Sequence, residues 1–288
     1  MTRRFFLGSG LLAAVVLGLQ CHPAGRETNV AKAPRDLHAA HIDRNTVKLE
    51  AASAMEVSPQ EDPLGFLRHC LDMYEERVDD YTCIFTKQEQ VDGRLGNVQK
   101  IAVRFRDEPY SVDMTWLENP GGAQRVLYVE GQWQDSQNRP LAWIKPSGSL
   151  IKLMVPSIQL PIHGRRVREN SRRTMDEFGF GNTLEMIIEY SERAKAEGVL
   201  DLRYVGSGNV ASRPTHVFER YLPYTGQEEP YPDALLRVDI DQEWLVPTAC
   251  YSYADAQGEE LLGSYVLTDV EFNVGLAFAD FDPETLGF

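Results

Sequence analysis

Ile101-Ala102-Val103-Arg104-Phe105 and Tyr110-Ser111-Val112-Asp113-Met114-Thr115-Trp116 are the stretches that decide the fold. In each, large apolar residues alternate with small, polar or charged ones, the period of a strand with one buried face. Upstream, Tyr81, Cys83 and Phe85 alternate with Thr82, Ile84 and Thr86, and Asp92-Gly93 supplies a turn. Downstream, Asn119-Pro120-Gly121-Gly122 turns the chain, and strand-like runs follow near 125–130, 141–145 and 150–154.

The period lengthens twice. Glu61-Asp62-Pro63 opens a helix whose Leu64, Leu67, Leu71, Tyr74 and Val78 recur at three- and four-residue steps. A second helix spans 182–196, with Leu184, Ile187, Ile188 and Ser191 on one side. Strands resume at 200–205, 215–222, 235–241, 246–253 and 261–272, the last three forming a meander. About ten antiparallel strands with two helices exclude a doubly wound nucleotide fold. The expectation is an α+β domain over 62–288, one large curved antiparallel sheet with helices covering its concave face. The alternation assigns Val103, Phe105, Val112, Met114, Trp116 and Tyr128 to the face turned toward the helices or a ligand, and these six are the expected groove.

Thr2-Arg3-Arg4-Phe5-Phe6-Leu7 followed by an apolar run to Leu19 has the form of an export signal. The run would measure about 22 Å as a helix against the roughly 30 Å of a bilayer core, so a permanent span is disfavoured. The paired arginines fit a twin-arginine signal, and an ordinary Sec signal is the other route. Cys21 ends residues 1–21 where a lipoprotein signal places its acylated cysteine, although Gly18-Leu19-Gln20 departs from the usual residues before it. The alternative is a soluble signal that happens to end at this cysteine. Residues 22–61 are rich in Ala, Pro and polar residues without apolar periodicity and read as a tether. Periplasm or outer membrane is the expected location.

Of 288 residues, 43% are hydrophobic, enough for a sizeable core, and 29 Lys+Arg against 43 Asp+Glu give a net charge of −14. Such a field repels phosphate backbones, so nucleic acid is disfavoured as a partner. Within this acidic chain Arg165, Arg166, Arg168, Arg172 and Arg173 crowd together. They read either as a solvated loop paired with Asp176 and Glu177 or as a patch that docks an anionic partner. Cys70 and Cys83 fall on the first helix and the strand after it, leaving two readings: a disulfide or two buried thiols.

No catalytic motif is present. Gly206-Ser207-Gly208 lacks the spacing of a nucleophile elbow and reads as a loop. Gly179-Phe180-Gly181 lacks the third glycine of a dinucleotide site and reads as helix entry. Asp239-Ile240-Asp241-Gln242-Glu243 lacks the glycine and distal Glu of a calcium loop, and His69, His163 and His216 stand apart from one another and from cysteine pairs. No metal, cofactor or catalytic residue is expected.

Tyr81-Thr82-Cys83 with Lys87, Glu89, Arg104, Pro109-Tyr110-Ser111-Val112, Trp116 and Tyr128-Val129-Glu130-Gly131 resembles an exported bacterial domain family of unknown function. Asp239-Ile240-Asp241, Leu245-Val246-Pro247, Tyr253, Asp269-Val270, Asn273 and Phe281-Asp282-Pro283 agree with it. That family is similar to the LolA/LolB-like periplasmic lipoprotein carriers. The resemblance implies an incomplete antiparallel barrel with helices closing an apolar cavity, and a non-catalytic role binding an acyl chain, lipid or lipoprotein. The alternative is a structural or protein-interaction module of the envelope with a filled core.

Overall fold

The computed structural model describes residues 57–148, 157–226 and 230–288. The signal, Cys21, most of the tether and the strand expected at 150–154 lie outside the described residues.

Helix α1 runs Pro63–Arg77. Asp62 caps it by accepting a 2.9 Å hydrogen bond from the Gly65 N–H, and Pro63 stands in the first turn, where its missing N–H costs nothing. Its buried face is Leu64, Phe66, Leu67, Cys70 and Tyr74. The helical turn α2 spans Arg165–Arg168, and helix α3 spans Phe180–Glu197. Helix α3 stops at Gly198, whose φ of 74° is the left-handed conformation that favours glycine.

The strands are β1 Asp80–Val91, β2 Arg94–Leu95, β3 Gln99–Arg106, β4 Ser111–Glu118, β5 Ala123–Val129, β6 Leu141–Pro146, β7 Ile158–Pro161, β8 Asp201–Val210, β9 Arg213–Tyr221, β10 Leu235–Asp241, β11 Pro247–Tyr253 and β12 Leu261–Phe272. Among the described residues they form one sheet in the order β7-β6-β5-β4-β3-β1-β12-β11-β10-β9-β8, with β2 paired to β1. Every pairing is antiparallel, and β7 and β8 end the order as edges that do not pair with each other. This is the expected large antiparallel sheet, open rather than closed into a barrel. Asp92 and Gly93 form the expected turn, both at positive φ. Strand β7, short and without clear alternation, was not anticipated. Gly206-Ser207-Gly208 lies inside β8 rather than in a loop, at a bulge that shifts the register between Tyr204 and Gly206.

Two core clusters fill the face under the helices. In one, Tyr81, Phe105, Phe180 and Phe272 pack with Val103, Val112 and Cys83, and the Tyr81 and Phe105 rings stack at 4.7 Å. In the other, α1 and α3 pack on β9 and β10 through Phe66, Leu67, Cys70, Leu184, Ile187, Phe218 and Val238. The opposite face of β5 is covered by the C-terminal segment through Leu127, Val129 and Phe281. Beneath it Asp113 receives Arg104 at 2.8 Å and Arg125 at 2.7 Å, so a buried carboxylate is paired twice.

The disulfide reading is corrected here. Cys70 and Cys83 are free thiols buried in separate clusters, because α1 does not fold back on its own strand β1 but packs against α3 and the β9–β10 half of the sheet. Cys250 is also free and buried.

Candidate ligand cavity

Strand register places the walls of a cavity of about 460 Å³. At one end Met114, Val126, Ile144 and Ile158 sit directly opposite one another across β4, β5, β6 and β7. Ala142 and Leu160 form the next pair, and all six line the cavity with Trp116 and Ala123. At the other end a second row crosses five strands: Arg220 on β9, Leu236 on β10, Ser252 on β11, Gly263 on β12 and Glu89 on β1. Arg220, Leu236, Ser252 and Glu89 line the same cavity. Residues near both ends of the strand order therefore face one space, which requires the sheet to curl around it.

The roof comes from the chain between β7 and α3. Val167, Ser171, Thr174, Met175 and Phe178 face inward, followed by Thr183, Met186, Ile187 and Tyr190 of α3. Thr174 and Glu177 form a capping box, and the Asn182 amide donates to the carbonyls of Asp176 and Phe178, so this irregular segment has its own hydrogen bonds. Gly179 enters α3 at φ 120°, and a β-carbon there would lie 3.1 Å from the Phe105 ring. At Gly181 a β-carbon would lie 2.7 Å from the buried Tyr74 ring. These glycines let the start of α3 settle onto the sheet.

The two ends differ chemically. The β4–β7 end is aliphatic. At the other end Glu89, with its side chain 5% exposed, accepts from Lys87 Nζ at 2.7 Å, Ser171 Oγ at 2.9 Å and the Tyr265 hydroxyl at 3.0 Å. Gly263 makes room for this, since a β-carbon there would lie 2.7 Å from the Tyr265 ring. Burial, then the nearby Glu89 charge, pushes the Tyr265 hydroxyl well above the usual tyrosine range and keeps it a donor. Arg220 is 2% exposed; its Nη2 lies 3.2 Å from Asp233 Oδ1 and its Nη1 donates to the Ile187 carbonyl at 3.1 Å. Among the described residues its Nε is buried without a partner, as is the indole N–H of Trp116.

The six expected groove residues divide. Met114 and Trp116 line the cavity, whereas Val103, Phe105 and Val112 are packed core and Tyr128 is buried with Val126, Ala142 and Ile162. The five arginines divide as well. Arg166 and Arg173 line the cavity, Arg173 3.4 Å from Glu177; Arg165 pairs with Glu169 at 2.6 Å, Arg172 donates to the Pro232 carbonyl and Arg168 is exposed. Sequence reasoning missed Ile144, Ile158, Leu160 and Arg220. Lys87 and Glu89 were visible only as motif residues without a role. Among the described residues, no group of three or more His, Cys, Asp and Glu is placed to hold a metal ion, and no helix is long and apolar enough to cross a membrane.

Similar solved structures include a DUF1329 family protein from Desulfovibrio piger, 12% identical, covering 80% of this chain and all of that one, at a TM-score of 0.40. Lipoprotein LppX from Mycobacterium tuberculosis is 14% identical over 73% of this chain and 97% of its own, at a TM-score of 0.40. A LolA superfamily protein from Nitrosomonas europaea is 10% identical over 76% of this chain and 98% of its own, at 0.27. No curated protein shows a significant sequence match. The model of the family described as "Protein of unknown function (DUF1571)" matches residues 78–286, from the end of α1 to the C-terminal segment, and the chain belongs to that family.

Proposed function

We propose that this protein is an exported, non-catalytic binding protein of the bacterial envelope that holds an apolar chain, such as the acyl chain of a lipid or lipoprotein, in the cavity between sheet and roof. The observation that carries the reading is the aliphatic wall of Met114, Val126, Ile144, Ile158 and Leu160, which faces about 460 Å³ of space although two core clusters are already filled. That volume lies within the range of about 300–1,000 Å³ typical of small-molecule sites. The irregular part of the roof, between β7 and α3, is the element that would move to admit a ligand. The non-catalytic part rests on the sequence, which sets no nucleophile beside a base.

Native mass spectrometry of the purified mature chain, with displacement of a fluorescent fatty-alcohol probe, tests the proposal. A co-purified lipid, or saturable probe binding, is expected. Bare protein that binds no probe would return the chain to the envelope-scaffold reading.

Export and anchoring are proposed from the N-terminal sequence, with Cys21 as the acylated residue. Cys21→Ala should move the protein from membrane to soluble periplasmic fractions. An unchanged membrane fraction, with no acyl mass on the N-terminus, would remove the anchor from the proposal.

A further inference from the structure

The polar end of the cavity has more hydrogen-bond donors than its own acceptors use. Glu89 already accepts from three donors and Asp233 faces Arg220. On the donor side, Arg220 has five N–H groups, of which the described residues engage one on Ile187 and one on Asp233, leaving Nε buried without a partner. Lys87 has three N–H groups and directs one to Glu89 and one to Ser171. Its side chain is 11% exposed, so water reaches the remaining N–H poorly. A buried donor left unmade is costly, and an anionic acceptor that meets it gains more than a neutral one.

The charges agree. Among the described residues, Lys87, Arg166, Arg173 and Arg220 line the cavity against Glu89, Glu177 and Asp233, a positive excess inside a chain whose net charge is −14. The negative exterior repels anions at long range, so the excess acts only on a group already carried inside by its apolar part.

Resting on the reading of the cavity as an apolar-chain site, we infer that its ligand is a single-chain amphiphile with an anionic head, a carboxylate or a phosphate, held against Arg220 and Lys87 while the chain lies along Met114, Val126, Ile144 and Ile158. The head is the buried end. Arg220 is held in place for this role by Asp233 and the Ile187 carbonyl, so little side-chain freedom is lost when the head arrives.

The test compares palmitic acid, palmityl phosphate and palmityl alcohol as competitors of an uncharged fluorescent fatty-alcohol probe on the full mature chain at neutral pH. At least one anionic ligand is expected to bind about tenfold more tightly than the alcohol, the scale of a charge-assisted hydrogen bond. The better of the two anions identifies the head. Arg220→Gln combined with Asp233→Asn removes the cation without stranding the acid, and should bring acid and alcohol to similar affinity while alcohol binding persists. Arg220→Lys, which keeps the charge but loses the fork, should narrow the ratio in the same direction should the double variant not fold. Equal binding of acid, phosphate and alcohol by the unaltered protein would overturn the anionic head and leave the apolar site standing. Absence of binding by all three would overturn both.

Discussion

The hydroxyl of Tyr110, just before β4, lies 2.7 Å from the carbonyl oxygen of Met175, so one side chain at the start of β4 ties the sheet to the roof of the cavity. The same hydroxyl lies 2.8 Å from the Phe178 carbonyl, and its ring meets Phe105 edge-on at 5.3 Å. Tyr110→Phe keeps the ring contact and removes the tie. The expected cost is about 1 kcal/mol of stability, read from the urea midpoint. Stopped-flow release of a bound fatty-alcohol probe should be faster than in the parent. Unchanged release would show that the roof is held elsewhere.

Core and wall should separate under mutation. Phe105 is 2% exposed and stacked on Tyr81, so Phe105→Ala should cost about 3–5 kcal/mol and affect ligand binding only through unfolding. Ile144 is half-buried and faces the cavity. Ile144→Glu should abolish probe binding while the melting temperature falls by only a few degrees, because the new carboxylate occupies the open space and not a packed core. Thermal melts and probe titrations of both variants check the pair. Unfolding of Ile144→Glu together with intact probe binding by Phe105→Ala would exchange the two roles.

Much of the architecture was legible because its signals are local. The Asp62-Pro63 start, the three- and four-residue steps of α1, the period-two strands and the Asp92-Gly93 turn each lie within a few residues. The cavity was not legible, because its walls are made by register between distant strands. Glu89 and Arg220 share one cross-strand row only through Gly263, Ser252 and Leu236. Alternation put Val103, Phe105, Met114 and Trp116 on one face correctly. It had no means of telling that Gly179 and Gly181 bring α3 down onto one part of that face and leave the rest open. The short separation of Cys70 and Cys83 left a disulfide and two buried thiols both open for a similar reason, since the packing partner of α1 is set by Phe66 and Phe218.

The three thiols supply a chemical map of these surfaces. Burial pushes all three above the ordinary cysteine range, Cys250 to about 12, so native protein near neutral pH should react slowly with alkylating reagents. Only Cys250 lines the cavity. A small apolar reagent at alkaline pH should therefore label Cys250 before Cys70 and Cys83, and bound palmitic acid should slow that labelling alone. Peptide mass spectrometry of timed samples reads the order. Equal protection of all three would mean that the ligand acts by stabilising the whole fold.

His216 gives the stability a pH dependence of defined sign. Its ring lies 5.4 Å edge-on from Phe66 and 5.7 Å from Tyr204, and burial lowers its pKa below the ordinary histidine range. The unfolded chain therefore takes up the proton first. Stability contributed by the neutral ring is present above about pH 6.5 and is lost as pH falls through that value toward the lower folded one. Asp107 works in the opposite sense. Burial, then the neighbouring Glu108, Glu75, Asp79 and Glu185, raises its pKa, so the folded state binds that proton first and gains stability on acidification. Comparison with a single-site variant separates the two, because Asp107 is common to both proteins. His216→Leu should show a smaller loss of urea midpoint between about pH 7 and about pH 5.5 than the parent, the window set by the ordinary histidine value. An equal loss in both proteins would assign the acid sensitivity to groups other than the histidine beneath α1.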